Sequence, residues 1–132
     1  MRVAILSSEA VPFAKTGGLA DVSGALTKAL HVEGVDSLLI LPLYDQVDRE
    51  LLSGIFIADL EVEWHGKRSR IRVWQSDALK APTYLIEAGH YFDRGQIYGE
   101  RNDFERFAFL SRAAIALLGR LGEAPDILHC KD

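Results

Sequence analysis

The chain has 132 residues, 48% of them hydrophobic and 26% charged, which is enough for one packed domain and excludes a disordered chain. A net charge of −4 argues against a general nucleic-acid surface. No apolar run is long enough to cross a membrane, and a single cysteine, Cys130, allows no intramolecular disulfide, which suits a reducing cytosol.

Arg2 to Leu6 reads as a buried first strand. Its apolar stretch is too short for a signal peptide and Glu9 follows at once, so no leader or transit peptide is expected. A loop from Ser7 to Gly18 leads into a helix whose Leu19, Val22, Leu26 and Leu30 share one face by spacing. Gly34 stands where that helix would be capped. Asp36 then opens the run Ser37-Leu38-Leu39-Ile40-Leu41, typical of a strand covered on both faces and ended by Pro42. Strand, helix and strand make a right-handed βαβ unit.

Residues 55–64 and 67–75 both suit strands, joined by a turn at His65-Gly66. Folded about that turn, Glu63 faces Arg68, Glu61 faces Arg70 and Asp59 faces Arg72, while Leu60 meets Ile71 and Ala58 meets Val73. The run Lys67-Arg68-Ser69-Arg70-Ile71-Arg72 therefore reads as the ion-paired face of a hairpin in preference to a polyanion patch. Thr83 to Glu87 is another strand, followed by a long loop, 90–101, with Tyr91, Phe92 and Tyr98. A last helix is expected with Asn102 as its cap and Glu105 in capping-box position, and with Phe104, Phe107, Leu110, Ala114, Leu118 and Leu121 as its apolar stripe. Gly122 and Pro125 stop it, and Asp126 to Cys130 forms a closing strand. The predicted fold is α/β: a Rossmann-like, doubly wound, mostly parallel sheet with an inserted antiparallel hairpin. Ligands of such sheets bind beyond the carboxyl ends of the strands, which here means the segment from Ser7 to Gly18 and the pair Lys131-Asp132.

Several chemistries lack their pattern. The glycines at 17 and 18 do not form G-x-G-x-x-G, and Lys15-Thr16 does not follow a Walker loop. There is no Asp-x-Asp, and the four histidines do not pair at metal-ligand spacing, so no metal or other cofactor is expected. What is present is Lys15-Thr16-Gly17-Gly18-Leu19, a cation and two side-chain-free residues just before a helix. Unpaired N–H groups and the helix dipole favour an anion there, so the segment reads either as a phosphate site or as a tight turn with a solvated lysine.

The longer string from Ser8-Glu9 through Pro12 to Lys15-Thr16-Gly17-Gly18-Leu19-Ala20-Asp21-Val22 resembles the N-terminal signature of bacterial glycogen synthases and plant starch synthases. Tyr91-Phe92-Asp93-Arg94 with Ile97-Tyr98-Gly99, the helix from Asn102 to Ala114, and Pro125 to Cys130 followed by Asp132 resemble the same family, so the likeness covers nearly the whole chain. The resemblance implies the incomplete, acceptor-side N-terminal domain of a two-domain GT-B glucosyltransferase, residues 1–132, with the donor-binding domain absent. It implies transfer of glucose from ADP-glucose to the non-reducing end of an α-1,4-glucan with retention of configuration and without a metal, in the bacterial cytoplasm. A non-catalytic glucan- or partner-binding module of the same fold is the alternative. By position, Lys15, Gly17 and Gly18 would hold the donor, Glu9, Asp21 and Asp132 would be the acids of the catalytic cleft, and Tyr98 would lie on the acceptor side. Lys131 stands where the family usually has histidine, placing a hydrated cation beside Asp132. The 132 residues alone are expected to be inactive and to self-associate through uncovered apolar surface.

Overall fold

The computed structural model describes residues 1–93, 95–122 and 124–131. Six strands, β1 (Arg2–Leu6), β2 (Asp36–Pro42), β3 (Gly54–Trp64), β4 (Lys67–Ser76), β5 (Thr83–Glu87) and β6 (Ile127–Cys130), form one sheet in the order β3-β4-β5-β2-β1-β6. β5, β2, β1 and β6 run parallel, and β4 pairs antiparallel with both β3 and β5. The hairpin therefore extends the main sheet at one edge. Helix α1 (Gly18–Val32) joins β1 to β2, α2 (Gly89–Phe92) is a single turn after β5, and α3 (Asp103–Arg120) joins β5 to β6.

The two long crossovers run in opposite directions across the sheet. Right-handed crossovers then place α1 and α3 on opposite faces, as a doubly wound sheet requires. Side-chain contacts agree: Ser37 of β2 donates to the Thr27 carbonyl of α1, and Trp64 of β3 packs edge-on against Phe109 of α3. With a layer on each side, Val3 to Leu6 of β1 and Ser37 to Pro42 of β2 are buried, which is why these strands read as unbroken apolar runs.

In both helices the buried face is offset from the stripe that the sequence marks; in α3, Leu110, Ala114 and Leu118 of that stripe are buried as expected and its remaining members are not. In α1 the buried residues are Ala20, Ser23, Gly24 and Thr27, while Val22 is exposed and Leu26 and Leu30 only flank the core. Small side chains let the helix axis come close to the loop before it. A Cβ built on Gly24 would lie 2.5 Å from the Val11 carbonyl oxygen. In α3 the buried residues are Arg106, Phe109, Leu110, Ala113, Ala114, Leu117 and Leu118, whereas Phe104 is 89% exposed and Phe107 and Leu121 are only half-buried.

Helix ends follow the same division. Gly34 closes α1 as expected, its N–H reaching the His31 carbonyl (3.0 Å) and the Val35 N–H reaching that of Leu30 (2.9 Å), the paired bonds of a Schellman end. At the start of α3 the capping box does not form, because the Asn102 side chain caps nothing. Asp103 instead takes the N–H groups of Gly99 and Glu100, at 2.8 and 3.1 Å.

The hairpin turns at His65 and Gly66, both at positive φ, which matches a two-residue type I′ turn. Glu63 opposite Arg68, Glu61 opposite Arg70 and Leu60 opposite Ile71 pair as the pattern demands. Beyond them the register shifts: Ile57, not Ala58, opposes Val73, so Ala58 and Asp59 together span Arg72. The bulge turns Ile57 and Leu60 both inward, three residues apart where strict alternation allows two. Arg72 lies opposite Glu87 of β5 instead of Asp59. Its ion pair with Glu87 (3.8 Å), with those of Arg70 to Asp59 (3.6 Å) and Arg68 to Glu61 (3.4 Å), gives each arginine of the basic run an acid.

Candidate functional site

β1 passes to β2 on one side, and β6 lies on its other side, so the carboxyl ends of β1 and β6 form the switch point of the sheet. A cavity of about 280 Å³ opens there. Leu6, Ser7 and Ser8 line it from the end of β1, Cys130 and Lys131 from the end of β6, Tyr98 from the loop after α2, and Asp103, Phe107, Leu110 and Ser111 from α3.

The segment after β1 is a folded loop pinned at several points. Ser7 Oγ donates to the Glu9 carbonyl (2.6 Å) and shares a hydrogen bond with Ser23 Oγ of α1 (2.9 Å). The Val11 N–H reaches the Ala20 carbonyl of α1 (3.0 Å), and those of Phe13 and Ala14 return to Ala10. The Val11–Pro12 peptide bond is cis. Tyr44, just past β2, donates its hydroxyl to the Ser8 carbonyl at 2.5 Å. Burial above all, then the neighbouring Tyr98, pushes the Tyr44 phenol well above its ordinary range, so it remains a neutral donor.

Glu9 is 2% exposed, and its carboxylate accepts both the backbone N–H (2.5 Å) and the hydroxyl (2.9 Å) of Thr16. This carboxylate thus holds the residue next to the glycine pair. Lys15 and Asp21 are brought together as an ion pair of 2.8 Å, each side chain about half exposed. Among the described residues, no hydrogen bond or ion pair joins Glu9 to Asp21. Gly17 is the N-cap of α1, with extended backbone and no side-chain cap. A Cβ on either Gly17 or Gly18 would meet nothing within 4 Å. Neither backbone conformation nor packing within this chain calls for glycine there; the pair leaves open space over the uncapped N-terminus of a fifteen-residue helix.

Tyr98 is placed over the other end of the loop. Its hydroxyl shares a 2.5 Å hydrogen bond with Ser8 Oγ, ninety residues away in sequence, and its ring lies 5.7 Å from that of Phe107. Lys131 borders the same cavity, its N–H bonded to the Leu6 carbonyl at 2.7 Å. Asp132 lies outside the described residues.

Four residues of the polar network were not singled out from sequence: Ser8, Tyr44, Asp103 and Arg106. Arg106 is fully buried, donating through Nε to the Tyr91 carbonyl (2.5 Å) and through Nη1 to Ile97 O and Asp103 Oδ1 (both 2.9 Å). Burial pushes the Asp103 carboxyl up, but the Gly99 N–H, Arg106 and the Glu100 N–H outweigh it and hold it below its ordinary range. One signal was available: Arg106 sits three and four residues before Phe109 and Leu110, a charge on the stripe that α3 buries. The contacts of Ser8 and Tyr44 leave no local pattern.

The chain matches, over residues 2–132, the family model described as the starch synthase catalytic domain. It is 42% identical to a glycogen synthase of Syntrophotalea carbinolica, across all of this chain and 28% of that protein. It is 40% identical to a probable starch synthase 4, chloroplastic/amyloplastic, of Arabidopsis thaliana, across 96% of this chain and 13% of that one. Among solved structures, the catalytic domain of starch synthase IV from Arabidopsis thaliana bound to ADP and acarbose superposes with a TM-score of 0.92 at 38% identity, covering 98% of this chain and 27% of that chain. The chain therefore spans a little over a quarter of the length of the glycogen synthases it matches.

Proposed function

The chain belongs to the starch synthase catalytic domain family, and from that membership we propose that it is the acceptor-side part of a retaining GT-B glucosyltransferase. The reaction is transfer of glucose from ADP-glucose to the non-reducing end of an α-1,4-glucan, in the bacterial cytoplasm, with a second domain supplying the rest of the donor site. The observation that carries this reading is the uncapped start of α1, open over Gly17 and Gly18 and flanked by Lys15. Free N–H groups and the helix dipole suit a diphosphate, and glycine lets it approach the backbone. Lys15 adds a full charge, and Asp21 orients it in the absence of donor. These groups stabilise charge that develops on the departing diphosphate, as fixed dipoles do in a water-poor cleft.

Glu9 acts here chiefly by holding Thr16, which sets the glycine pair. Glu9, Asp21 and Asp132 remain the proposed acids of the cleft. Tyr98, on the cavity at the switch point, is the proposed contact for the glucan acceptor, with Lys131 bordering the same cavity. A sugar ring suits an aromatic face with a hydroxyl handle. Ile127 and Leu128 are exposed on β6, an edge strand with one side unpaired, which supports self-association of the isolated 132 residues. A strictly monomeric sedimentation profile at high concentration removes that part of the proposal.

The test uses the synthase comprising this domain and its donor domain. Lys15→Ala raises KM for ADP-glucose by about tenfold, one lost phosphate contact, and leaves KM for maltoheptaose unchanged. Unchanged donor kinetics sink the phosphate assignment. The isolated 132 residues make no glucan; detectable synthesis by them overturns the division into two half-sites.

A further inference from the structure

We propose that Asp103 and Arg106 act as a clamp that positions Tyr98 in the candidate site, a role that rests on reading Tyr98 as the acceptor contact. The residues on both sides of Tyr98 are held by these two side chains. Arg106 Nη1 takes the Ile97 carbonyl (2.9 Å), and the Asp103 carboxylate takes the N–H groups of Gly99 (2.8 Å) and Glu100 (3.1 Å). Arg106 and Asp103 are themselves joined at 2.9 Å, and Arg106 Nε reaches back to the Tyr91 carbonyl. Both stand on the first turn of α3, whose following residues Phe107 and Leu110 form the cavity wall. One helix turn thus sets the wall and the tyrosine in a single frame, and the tyrosine hydroxyl meets Ser8, whose carbonyl Tyr44 holds from the other side.

Stability is not the whole reason for this arrangement. Arg106 is fully buried, and its Nη2 has no hydrogen-bond partner among the described residues. A buried ionic group with an orphaned nitrogen is costly, and an apolar residue of similar volume is often as stable or more so. What an apolar residue does not supply is a fork spanning the carbonyls of Tyr91 and Ile97. A site group must be held to a fraction of an ångström, and a tyrosine on a loop reaches that precision only through such support.

The test compares the 132-residue chain with Asp103→Asn, Arg106→Met, Tyr98→Phe and the pair Arg106→Met/Tyr98→Phe. Arg106 does not line the cavity, so its effect on a ligand passes through Tyr98; if the methionine variant does not fold, Asp103→Asn serves for the exchange readout, since Asp103 itself borders the cavity. Two quantities are read: amide hydrogen exchange at Gly99 and Glu100 against Leu39 to Leu41 of β2, and the Kd for maltoheptaose. Either clamp variant speeds exchange at 99 and 100 by about tenfold more than it speeds exchange in β2. Each weakens maltoheptaose by about tenfold, as Tyr98→Phe does, and the double variant loses no more than the worse single one. Unaltered exchange, unaltered Kd in the clamp variants, or fully additive losses overturn the clamp. Binding unaltered by Tyr98→Phe marks a different failure: the acceptor role of Tyr98 falls and the functional role of the clamp falls with it, while the exchange data still report whether the loop is held.

Discussion

Replacing Gly24 with alanine tests why α1 turns its small residues inward. In a helix interior alanine is favoured over glycine by roughly 1 kcal/mol. Against this, the new Cβ would stand 2.5 Å from the Val11 carbonyl oxygen and 2.8 Å from Val11 Cγ2. The oxygen is backbone, in a segment fastened by the Val11 N–H bond to Ala20, so it cannot swing aside as a side-chain tip would. Overpacking of this kind costs about 1–3 kcal/mol, and a clash with a tethered backbone belongs near the upper end. The net expectation is a loss of about 1–2 kcal/mol. For a domain of this length that is a fall in Tm of roughly 3–10 °C. Gly119, near the end of α3, is the control, because it is exposed and a Cβ there meets nothing within 4 Å. Gly119→Ala raises stability by about 0.5–1 kcal/mol. Thermal unfolding followed by circular dichroism reads both. If Gly24→Ala matches or exceeds the stability of the parent chain, the close approach of α1 to the Ser7–Gly17 loop is not as described.

The offset of the buried face of α3, from Phe104 toward Phe109, is checked by Phe104→Ser, which leaves urea-unfolding stability within about 0.5 kcal/mol, and by Phe109→Ala, which costs about 3–5 kcal/mol. A large loss in the first variant reinstates the face marked by Phe104. Removing the exposed Lys15–Asp21 pair by Lys15→Ala changes stability by less than about 1 kcal/mol, so a donor-binding defect in that variant is not a folding defect. Asp103 carries the pH dependence of the clamp. Its folded carboxyl lies below the ordinary value of 3.8, so its contribution is full above that value and is lost as pH falls through the folded pKa. The stability gap between the parent chain and Asp103→Asn is therefore constant near neutrality and closes in acid. A gap that persists undiminished at pH 2 contradicts that role for the carboxylate.

Strand and helix positions were legible because they depend on neighbours a few residues apart. The apolar runs of β1 and β2, the His65-Gly66 turn and the Gly34 helix end all stand where local pattern puts them. The string from Ser8 to Val22, with the stretches around Tyr98, the last helix and Pro125, carried the family, and the switch point of the sheet accounts for the place of that string after β1. What sequence could not decide was set by contact between distant parts. Periodicity marks where leucines and phenylalanines recur, but the inward face of α1 is chosen by how closely a backbone must approach it, so Gly24 goes in and Val22 stays out. The bulge at Ala58 and Asp59 goes with the burial of both Ile57 and Leu60, and it redirects Arg72 from Asp59 to Glu87. Tyr98 meets Ser8 across ninety residues, and Arg106, a charge no helical pattern would bury, is taken inside because carbonyls of Tyr91 and Ile97 await it there. Local chemistry thus determined the elements and the glycine loop before α1, whereas the cavity beside that loop exists only once three distant segments have closed around it.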